Sequence, residues 1–250
     1  MPAPAIRVEG LRKRFGAQEV LRGVDLEVAP AELMVIIGRS GGGKSVLLRH
    51  LLGLVRPDAG RVVIDGQDVA VLRGRALDRV RERFGVVFQG GALFDSLTVL
   101  ENVLFPIRER RRVPEADLLP RAREALAQVG LAEMGHKYPA EVSGGMRKRV
   151  AIARALVTEP QVVFLDEPTT GLDPVLVNSI HHLFVGLHRK FGFTAVMVSH
   201  EIPEIFQIAH RVAVLHEGRI HAVGTPEEIQ QSEDPVVRRF IHGEVEERPV

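Results

Sequence analysis

Short apolar runs bounded by polar residues recur along this chain, and each is too short to be a helix. Residues 33–37 and 162–165 are the clearest, since every position in them is apolar. A continuous apolar run of this length is typical of a parallel strand buried on both faces. Residues 85–88 and 195–199 show a similar pattern. The sequence therefore predicts an α/β fold with a doubly wound core that uses these four strands.

A second pattern, in which apolar residues alternate with polar ones, marks strands of another kind. Residues 6–8, 20–28 and 62–65 alternate in this way and are separated by turn-forming residues. Such alternation is typical of strands with one solvated face. We expect these segments to form an antiparallel β edge beside the parallel core.

The segment after the core predicts a hairpin followed by a helix. Residues 212–215 are apolar and residues 220–223 are apolar except for His221, and a turn that contains Glu217 and Gly218 separates the two segments. Thr225 and Glu228 then have the spacing of a capping box, with a proline in the first helical turn between them. A helix is therefore expected to begin after Thr225.

Helical spacing replaces the strand patterns between the second and third core strands. Residues 96–128 contain it, and Thr98 with Glu101 forms a further capping box. We interpret this stretch as part of a helical subdomain inserted into the core. The predicted organisation is one domain over residues 1–250, with a core at 1–89 and 160–243, a helical subdomain at 90–159 and a tail at 244–250.

The first core strand is followed by GRSGGGKS, which has the GxxxxGKS form of a phosphate-binding loop between a strand and a helix. Glycines let successive backbone amides converge on phosphate oxygens, Lys44 adds a point charge, and the Ser45 hydroxyl suits Mg²⁺. A glycine-rich turn without a ligand is the alternative. The residues expected to contact a nucleotide here are Gly38, Arg39, Ser40, Gly41, Gly42, Gly43, Lys44, Ser45 and Val46.

Two adjacent carboxylates, Asp166 and Glu167, follow the third core strand. Open α/β sheets bind their ligands in a crevice at the carboxyl ends of their strands. The pair therefore suggests metal and proton chemistry at that edge.

A second glycine turn, Ser143 to Met146 (SGGM), precedes a basic amphipathic helix. Ser143 has the position of an N-cap, and Gly144 and Gly145 leave backbone amides unobstructed at a helix start. An ordinary tight turn is the alternative interpretation. Because the first loop already provides for one nucleotide, this turn could serve the nucleotide of a second subunit in a two-fold dimer. Met146, Val150, Ala153 and Val157 are expected to form the apolar face of the helix, with residues 147–149 largely off it.

Composition narrows the setting without deciding the function. The chain has 250 residues, 45% of them hydrophobic, which is enough for a substantial core. A net charge of +1 gives no overall field for nucleic acid. The absence of cysteine excludes disulfides, thiolate zinc sites and cysteine nucleophiles. His181 and His182 point to different helix faces, so we expect surface residues and not metal ligands.

Membrane attachment is expected to come through a partner. Apolar runs in the sequence fall well short of the roughly 20 residues that span a bilayer. The N-terminal sequence MPAPAIRVEG does not resemble a signal peptide. Five arginines at 73, 75, 79, 81 and 83 are interpreted as a solvated helix face, with contact to anionic lipid or RNA as the alternative.

Taken in order, these motifs resemble those of the ATP-binding cassette (ABC) family over nearly the whole chain. The glycine loop is similar to its Walker A motif, residues 162–168 to Walker B and the Ser143 turn to the signature motif. Gln89 matches the Q-loop and residues 171–173 the D-loop. His200 matches the switch histidine, and Phe15 matches the aromatic position that stacks on adenine.

The resemblance implies an ATPase that uses ATP and Mg²⁺ at a site shared by two subunits. Catalysis is then positioning and electrostatics, with Glu167 as general base and Lys44 neutralising phosphate charge. The roles implied for the remaining residues are metal binding by Ser45, Gln89 and Asp166, sensing of metal, water and permease by Gln89, γ-phosphate orientation by His200, dimer communication by Asp173, and nucleotide contact by Ser143, Gly144 and Gly145.

A finer resemblance is to the ATPases of Mla-type lipid transporters, which carry SGGM where most of the family has SGGQ. Residues 91–109 and 240–244 are also similar to that group. The resemblance implies a homodimer on the cytoplasmic face of the bacterial inner membrane, bound to integral membrane permease subunits. An MCE-type periplasmic lipid-binding protein would be a further partner, with phospholipid as the cargo moved between the inner and outer membranes. No nucleic acid is expected.

Other functions stay open at this point. The chain could serve a polar solute importer or an efflux pump, because an ATPase subunit does not itself touch the cargo. Soluble ABC ATPases that act on ribosomes or DNA usually have two cassettes or a long coiled-coil insertion, unlike this chain. A GTPase would need a guanine-reading NKxD motif, and neither Asn102 nor Asn178 lies in one.

Overall fold

The computed structural model describes residues 3–110 and 114–242, without the side chain of His242. Its strands are β1 (Ile6–Phe15), β2 (Gln18–Val28), β3 (Leu33–Ile37), β4 (Ala59–Ile64), β5 (Gln67–Asp68), β6 (Phe84–Val87), β7 (Val162–Asp166), β8 (Thr194–Val198), β9 (Arg211–His216) and β10 (Arg219–Gly224). Its α-helices are α1 (Lys44–Leu51), α2 (Gly74–Arg81), α3 (Val99–Arg110), α4 (Glu115–Gln128), α5 (Gly144–Leu156), α6 (Pro174–Phe191), α7 (Pro226–Gln230) and α8 (Pro235–His242).

The described residues form two compact units. Unit 1 comprises residues 3–77 and 196–242, and unit 2 comprises residues 78–110 and 114–195. The predicted subdomain limits at 90 and 159 stay a prediction. Across the described ranges, no helix combines the length and apolarity needed to cross a membrane.

Unit 1 contains a four-stranded sheet in the order β2-β1-β4-β5, and all its pairs are antiparallel. This confirms the predicted antiparallel edge. β1 continues to Phe15, well beyond the predicted end at Val8. Its pairing register with β2 shifts between Val8 and Leu11. Gly10, with φ of 53°, lies inside that irregularity and breaks the alternation on which the prediction depended.

The phosphate loop of unit 1 follows a fully buried strand, β3. β9 pairs with β3 in parallel and with β10 in antiparallel orientation. The predicted hairpin is therefore present. Glu217 and Gly218 at its turn both have positive φ, 45° and 76°, as a two-residue turn between twisted strands requires. The predicted capping box at Thr225 is also present, with both reciprocal hydrogen bonds.

Unit 2 contains the parallel pair β6 and β7 together with helices α3 to α6. The Thr98 backbone amide donates to Glu101 Oε2 at 2.8 Å, and the Glu101 amide donates to Thr98 Oγ1 at 3.2 Å. This confirms the capping box predicted before α3.

Two expectations about helix faces are wrong. α5 is buried almost all round, and Lys148, expected off the apolar face, is only 8% exposed. His181 in α6 is 2% exposed, whereas His182 is exposed as expected. Both errors have one cause: which residues of a helix are covered depends on neighbours that are distant in sequence.

Candidate functional site

The glycines of the phosphate loop are required by close backbone approach as well as by turn geometry. A Cβ at Gly38 would collide with the carbonyl oxygen of Leu215 in β9. A Cβ at Gly42 would lie 2.9 Å from the Arg39 carbonyl oxygen, and the Gly42 amide donates a hydrogen bond of 3.0 Å to that same oxygen. The loop therefore folds tightly on itself against β9, which leaves its amides at the start of α1.

Lys44, the first residue of α1, lies beneath this loop. Its ammonium donates to the carbonyl oxygens of Gly38 at 2.8 Å and Arg39 at 3.0 Å. The side chain is 5% exposed, so the charge is held in a largely desolvated position. Ser45 and Val46 follow and are half-buried, whereas Arg39, Ser40 and Gly41 are exposed.

The loop also packs against the hairpin that carries Phe15. A Cβ at Gly43, where φ is 100°, would lie 3.1 Å from a Leu21 methyl group and 3.2 Å from Val20 Cγ1 in β2. Phe15 ends β1 and pairs with Gln18, the first residue of β2. Phe15 as a residue is 49% exposed. The hairpin that packs against the phosphate loop therefore carries an exposed aromatic residue at its turn.

His200 lies at the same edge of unit 1. It follows Ser199, the first residue after β8. The Ser199 backbone amide donates to the carbonyl oxygen of Ile36 at 3.2 Å, near the end of β3. The Ser199 hydroxyl accepts the Glu201 amide at 3.1 Å and shapes the turn. The His200 side chain is exposed. The carboxyl ends of β3 and β8 are thus neighbours, as the predicted site requires.

In unit 2, Gln89 and Glu167 are brought together by the parallel pair β6 and β7. Val87 pairs with Leu165, so the residues that follow both strands emerge at one edge. Gln89 Nε2 donates to Glu167 Oε2 at 3.0 Å, and the Thr170 hydroxyl donates to the same oxygen at 3.2 Å. Asp166 ends β7, and both carboxylates are half-buried.

The backbone at Glu167 is left-handed, with φ of 47°. A non-glycine residue in this region is uncommon and costs on the order of 1 kcal/mol or more. Such strain persists where the surrounding structure enforces it, often at functional sites. Here the strained residue follows directly after β7, and its side chain accepts the hydrogen bond from Gln89.

Ser143 is the N-cap of α5, as the sequence predicted. The Ser143 hydroxyl accepts the Met146 amide at 3.2 Å, and its own side chain is exposed. Cβ atoms at Gly144 and Gly145 would lie 3.6 Å from Leu172 and 3.5 Å from Leu176. The turn therefore packs beside the start of α6.

Asp173 caps that start, because its Oδ1 accepts the amides of Val175 and Leu176, each at 3.0 Å. It is exposed beside the Ser143 turn. The structure thus gives Asp173 a capping role; its predicted role in dimer communication stays a prediction.

Sequence reasoning missed two cationic side chains of α5 that contact the segment after Gln89. Lys148 Nζ donates to the Gln89 carbonyl oxygen, and Arg154 donates to the carbonyl oxygens of Gly91 at 2.6 Å and Ala92 at 2.7 Å. Burial lowers the pKa of the Arg154 guanidinium. Lys148 shares a stripe with Ile152 and Ala155, at i+4 and i+7, and this spacing could have revealed its burial.

The residues of the phosphate loop fit a nucleoside triphosphate bound with Mg²⁺. The loop offers backbone amides where side chains would not fit, with Lys44 as a cation at its base. Ser45 in unit 1, and Asp166 and Gln89 in unit 2, each carry a side-chain oxygen of the type that Mg²⁺ prefers as a ligand. The assignment of these residues as ligands remains a prediction.

Comparison with known proteins places the chain in a family. The sequence profile described as ABC transporter matches residues 21–170, which is more than half of the chain. The matched region includes the phosphate loop, Gln89, the Ser143 turn and the Asp166–Glu167 pair. Phe15, Asp173 and His200 lie outside it.

Two curated relatives match most of the chain. "Probable ribonucleotide transport ATP-binding protein mkl" of Mycobacterium tuberculosis is 39% identical over 239 residues, covering 96% of this chain and 67% of the relative. "Methionine import ATP-binding protein MetN" of Caulobacter vibrioides is 42% identical over 227 residues, covering 90% and 68%. The chain therefore spans about two thirds of each relative's length.

A solved structure matches the fold as well as the sequence. The ATP-binding cassette MJ0796, in a dimeric post-hydrolysis state bound to ADP and Pi, superposes with a TM-score of 0.80 and is 31% identical. The match covers 88% of this chain and 98% of that one. The predicted α/β fold class, with its antiparallel edge and helical insertion, is confirmed.

Proposed function

We infer, from the premise that this chain belongs to the ABC transporter family, that it energises the transport of lipid. As a family member it is an ATPase subunit that hydrolyses ATP with Mg²⁺. The cargo, the partner proteins and the role of each site residue are what we propose here.

The hydrogen bond between Gln89 and Glu167 is the observation that carries the hydrolytic assignment. It joins the amide that the family resemblance assigns to sensing water with the carboxylate assigned as general base. We propose that Glu167 accepts the proton of the attacking water. Lys44 neutralises developing phosphate charge, and His200 orients the γ-phosphate.

Mg²⁺, when bound, neutralises the negative charge of the nucleotide's phosphates. Ser45, Asp166 and Gln89 are the residues we propose to hold it. The glycine loop binds the phosphates through backbone amides. Phe15 offers an exposed ring for stacking on adenine.

Two copies of the chain are proposed to share two ATP molecules. Each copy would bind one ATP through its glycine loop and offer Ser143, Gly144 and Gly145 to the other. Support comes from the backbone amides of Gly144 and Gly145 at the start of α5. The ATP bound by a chain's own glycine loop does not need these amides. The dimeric state of the related MJ0796 cassette adds to it.

Lipid as the cargo is supported by Met146 and by the two segments that resemble Mla-type ATPases. Met146 is half-buried in the first turn of α5, and its backbone amide donates to Ser143. Its thioether lacks the amide that glutamine would present to a nucleotide. Residues 240–242 of the C-terminal segment lie in α8, and residues 243–244 lie outside the described residues.

On this proposal the ATPase binds integral permease subunits at the cytoplasmic face of the bacterial inner membrane. An MCE-type lipid-binding protein would complete the path for phospholipid. The chain itself is attached to the membrane through these partners.

Import of a polar solute is the second candidate. It is favoured by the names of the relatives, one assigned to ribonucleotide transport and the other to methionine import. Both are more than a third identical to this chain, so the ATPase fold alone does not separate the two cargoes.

Purification of the complex from its own membranes tests the proposal. Complexes are isolated through this chain, as wild type and as Glu167→Gln, and bound small molecules are identified by mass spectrometry. An unrelated membrane complex in the same detergent controls for bulk lipid. Phospholipid enriched above that control, with an MCE-type protein, is the expected result. A bound amino acid, nucleotide, sugar or metal without enriched lipid would overturn the lipid proposal.

A further inference from the structure

The segment that carries Gln89 has little apolar anchoring of its own. An added Cβ at Gly90 would meet no atom within 4 Å, whereas Gly91 is buried near Ala151 of α5. Gly91 has φ of 76° and Ala92 has φ of 49°. Phe88 is 42% exposed and closes a turn by accepting the Gly91 amide at 2.7 Å. A loop with few buried apolar contacts is expected to open at low free-energy cost. Something else must hold Gln89 in position.

Two cations from α5 hold this loop by its main chain. Lys148 donates to the carbonyl of Gln89 itself, and Arg154 donates to those of Gly91 and Ala92. Three of four consecutive carbonyls, from residue 89 to residue 92, therefore accept hydrogen bonds from one helix. Burying a cation costs free energy unless it is hydrogen-bonded, and a hydrogen bond from a charged donor is among the stronger kinds.

The side chain of Gln89 is held at its other end by Glu167. A chain of contacts therefore runs from Lys148 to the Gln89 carbonyl, and from the Gln89 side-chain amide to the Glu167 carboxylate. α5 starts at the Ser143 cap, so the same helix carries the signature turn and the residues that grip the loop.

We propose that Lys148 and Arg154 are positioning residues for ATP hydrolysis, and that they set where Gln89 presents its amide to Glu167. They act through the main chain of the segment that carries Gln89. The proposal rests on the ATPase activity and on the role proposed for Gln89, and it is independent of the cargo. A merely structural role would predict a loss of stability with unchanged turnover per folded molecule.

Lys148→Met tests this, because methionine has similar length and no charge. Lys148→Arg is the conservative variant, because it keeps a cation that can donate to the Gln89 carbonyl. Arg149→Met is the matched control: Arg149 lies on the same helix and donates to Val129 O at 3.2 Å and Ser179 Oγ at 2.9 Å, away from the Gln89 segment. If Lys148→Met does not fold, Arg154→Met takes its place, since Arg154 is only half-buried.

Each full-length variant is measured in two ways, by kcat and KM for ATP and by hydrogen exchange of the amides of residues 88–92. Lys148→Met is expected to lower kcat at least tenfold, to leave KM within about threefold, and to raise exchange in that segment. Lys148→Arg should recover most of both. Arg149→Met should leave exchange at 88–92 unchanged.

Unchanged kcat with faster exchange would overturn the positioning role, and unchanged exchange would overturn the grip on the loop. If Gln89→Ala hydrolyses ATP at the wild-type rate, the role proposed for Gln89 has failed instead. The two failures are therefore distinguishable.

Discussion

The side-chain amide of Gln89 donates a hydrogen bond of 3.0 Å to Oε2 of Glu167, although the two residues lie 78 positions apart. Parallel pairing of β6 with β7 brings them together. Thr170 donates to the same oxygen. Two donors on one oxygen therefore hold the carboxylate in one orientation.

Glu167→Gln is expected to preserve ATP binding and to slow hydrolysis by on the order of 10² or more, because the general base is lost. Turnover and binding of a fluorescent ATP analogue are measured on the same preparation. Thr170→Val serves as the control, since it removes one hydrogen bond and keeps the carboxylate; its loss should be much smaller. Wild-type turnover in Glu167→Gln would sink the assignment.

Ser143→Arg is expected to abolish dimer-dependent turnover and to leave nucleotide binding by the monomer intact. The bulky cation would occupy the turn proposed to receive the second subunit's ATP. Ser143→Ala separates this effect from loss of the helix cap, which costs roughly 0.5–2 kcal/mol of stability. Binding to the isolated chain is measured at low concentration and turnover across a concentration series. Loss of binding in the monomer would contradict the shared site.

A glycine inside α6 and the glycine that caps its C-terminus are expected to respond to alanine with stability changes of opposite sign. Gly186 lies in the helix interior, where an added Cβ would have no atom within 4 Å, so alanine should stabilise the protein by roughly 0.5–1 kcal/mol. Gly192 is the C-cap with φ of 66°, where alanine should destabilise by about 1 kcal/mol. Denaturant unfolding of both variants checks this. Equal shifts in the same direction would refute the cap geometry.

Stability is expected to depend on pH through His50, which is 1% exposed in α1. Burial lowers its pKa below the ordinary 6.5 and outweighs the Val46 carbonyl, which lies 2.7 Å from Nδ1 and raises it. Among the residues that the structure describes, Nε2 finds no hydrogen-bond partner. The unfolded chain therefore takes up a proton first as pH falls, and stability should decrease from about pH 6.5 downward.

His50→Leu should flatten that part of the stability curve, measured as the free energy of unfolding between pH 5 and 8. His182→Leu is the comparison, because His182 makes the same kind of contact with Asn178 O, at 2.8 Å, from an exposed ring. A slope in His50→Leu identical to that of the wild type would show that His50 does not cause the dependence.

Features with local causes could be predicted from the sequence. β3 coincides with its apolar run because a strand buried on both faces needs every side chain to be apolar. The Ser143, Thr98 and Thr225 caps were predictable because a cap is formed by residues three positions apart. The glycine loop belongs to the same class, since its spacing reflects its own backbone.

Features that depend on distant partners could not be predicted. For Lys148 the local signal is limited to its spacing from Ile152 and Ala155, and the burial of His181 follows from elements that cover α6 and are distant in sequence. The same holds for the left-handed backbone of Glu167, because glutamate has no preference for that region. The hydrogen bond from Gln89 needed the pairing of two strands far apart in sequence.

The backbone strain at Glu167 sets stability against activity at a single position. Glycine adopts a φ of 47° without the cost that glutamate incurs, and asparagine does so at a reduced cost. A laboratory selection that rewards thermal tolerance alone is therefore expected to replace this glutamate and to yield sturdier proteins that no longer turn over ATP. Engineering of this chain for robustness should hold position 167 constant and seek its gains elsewhere.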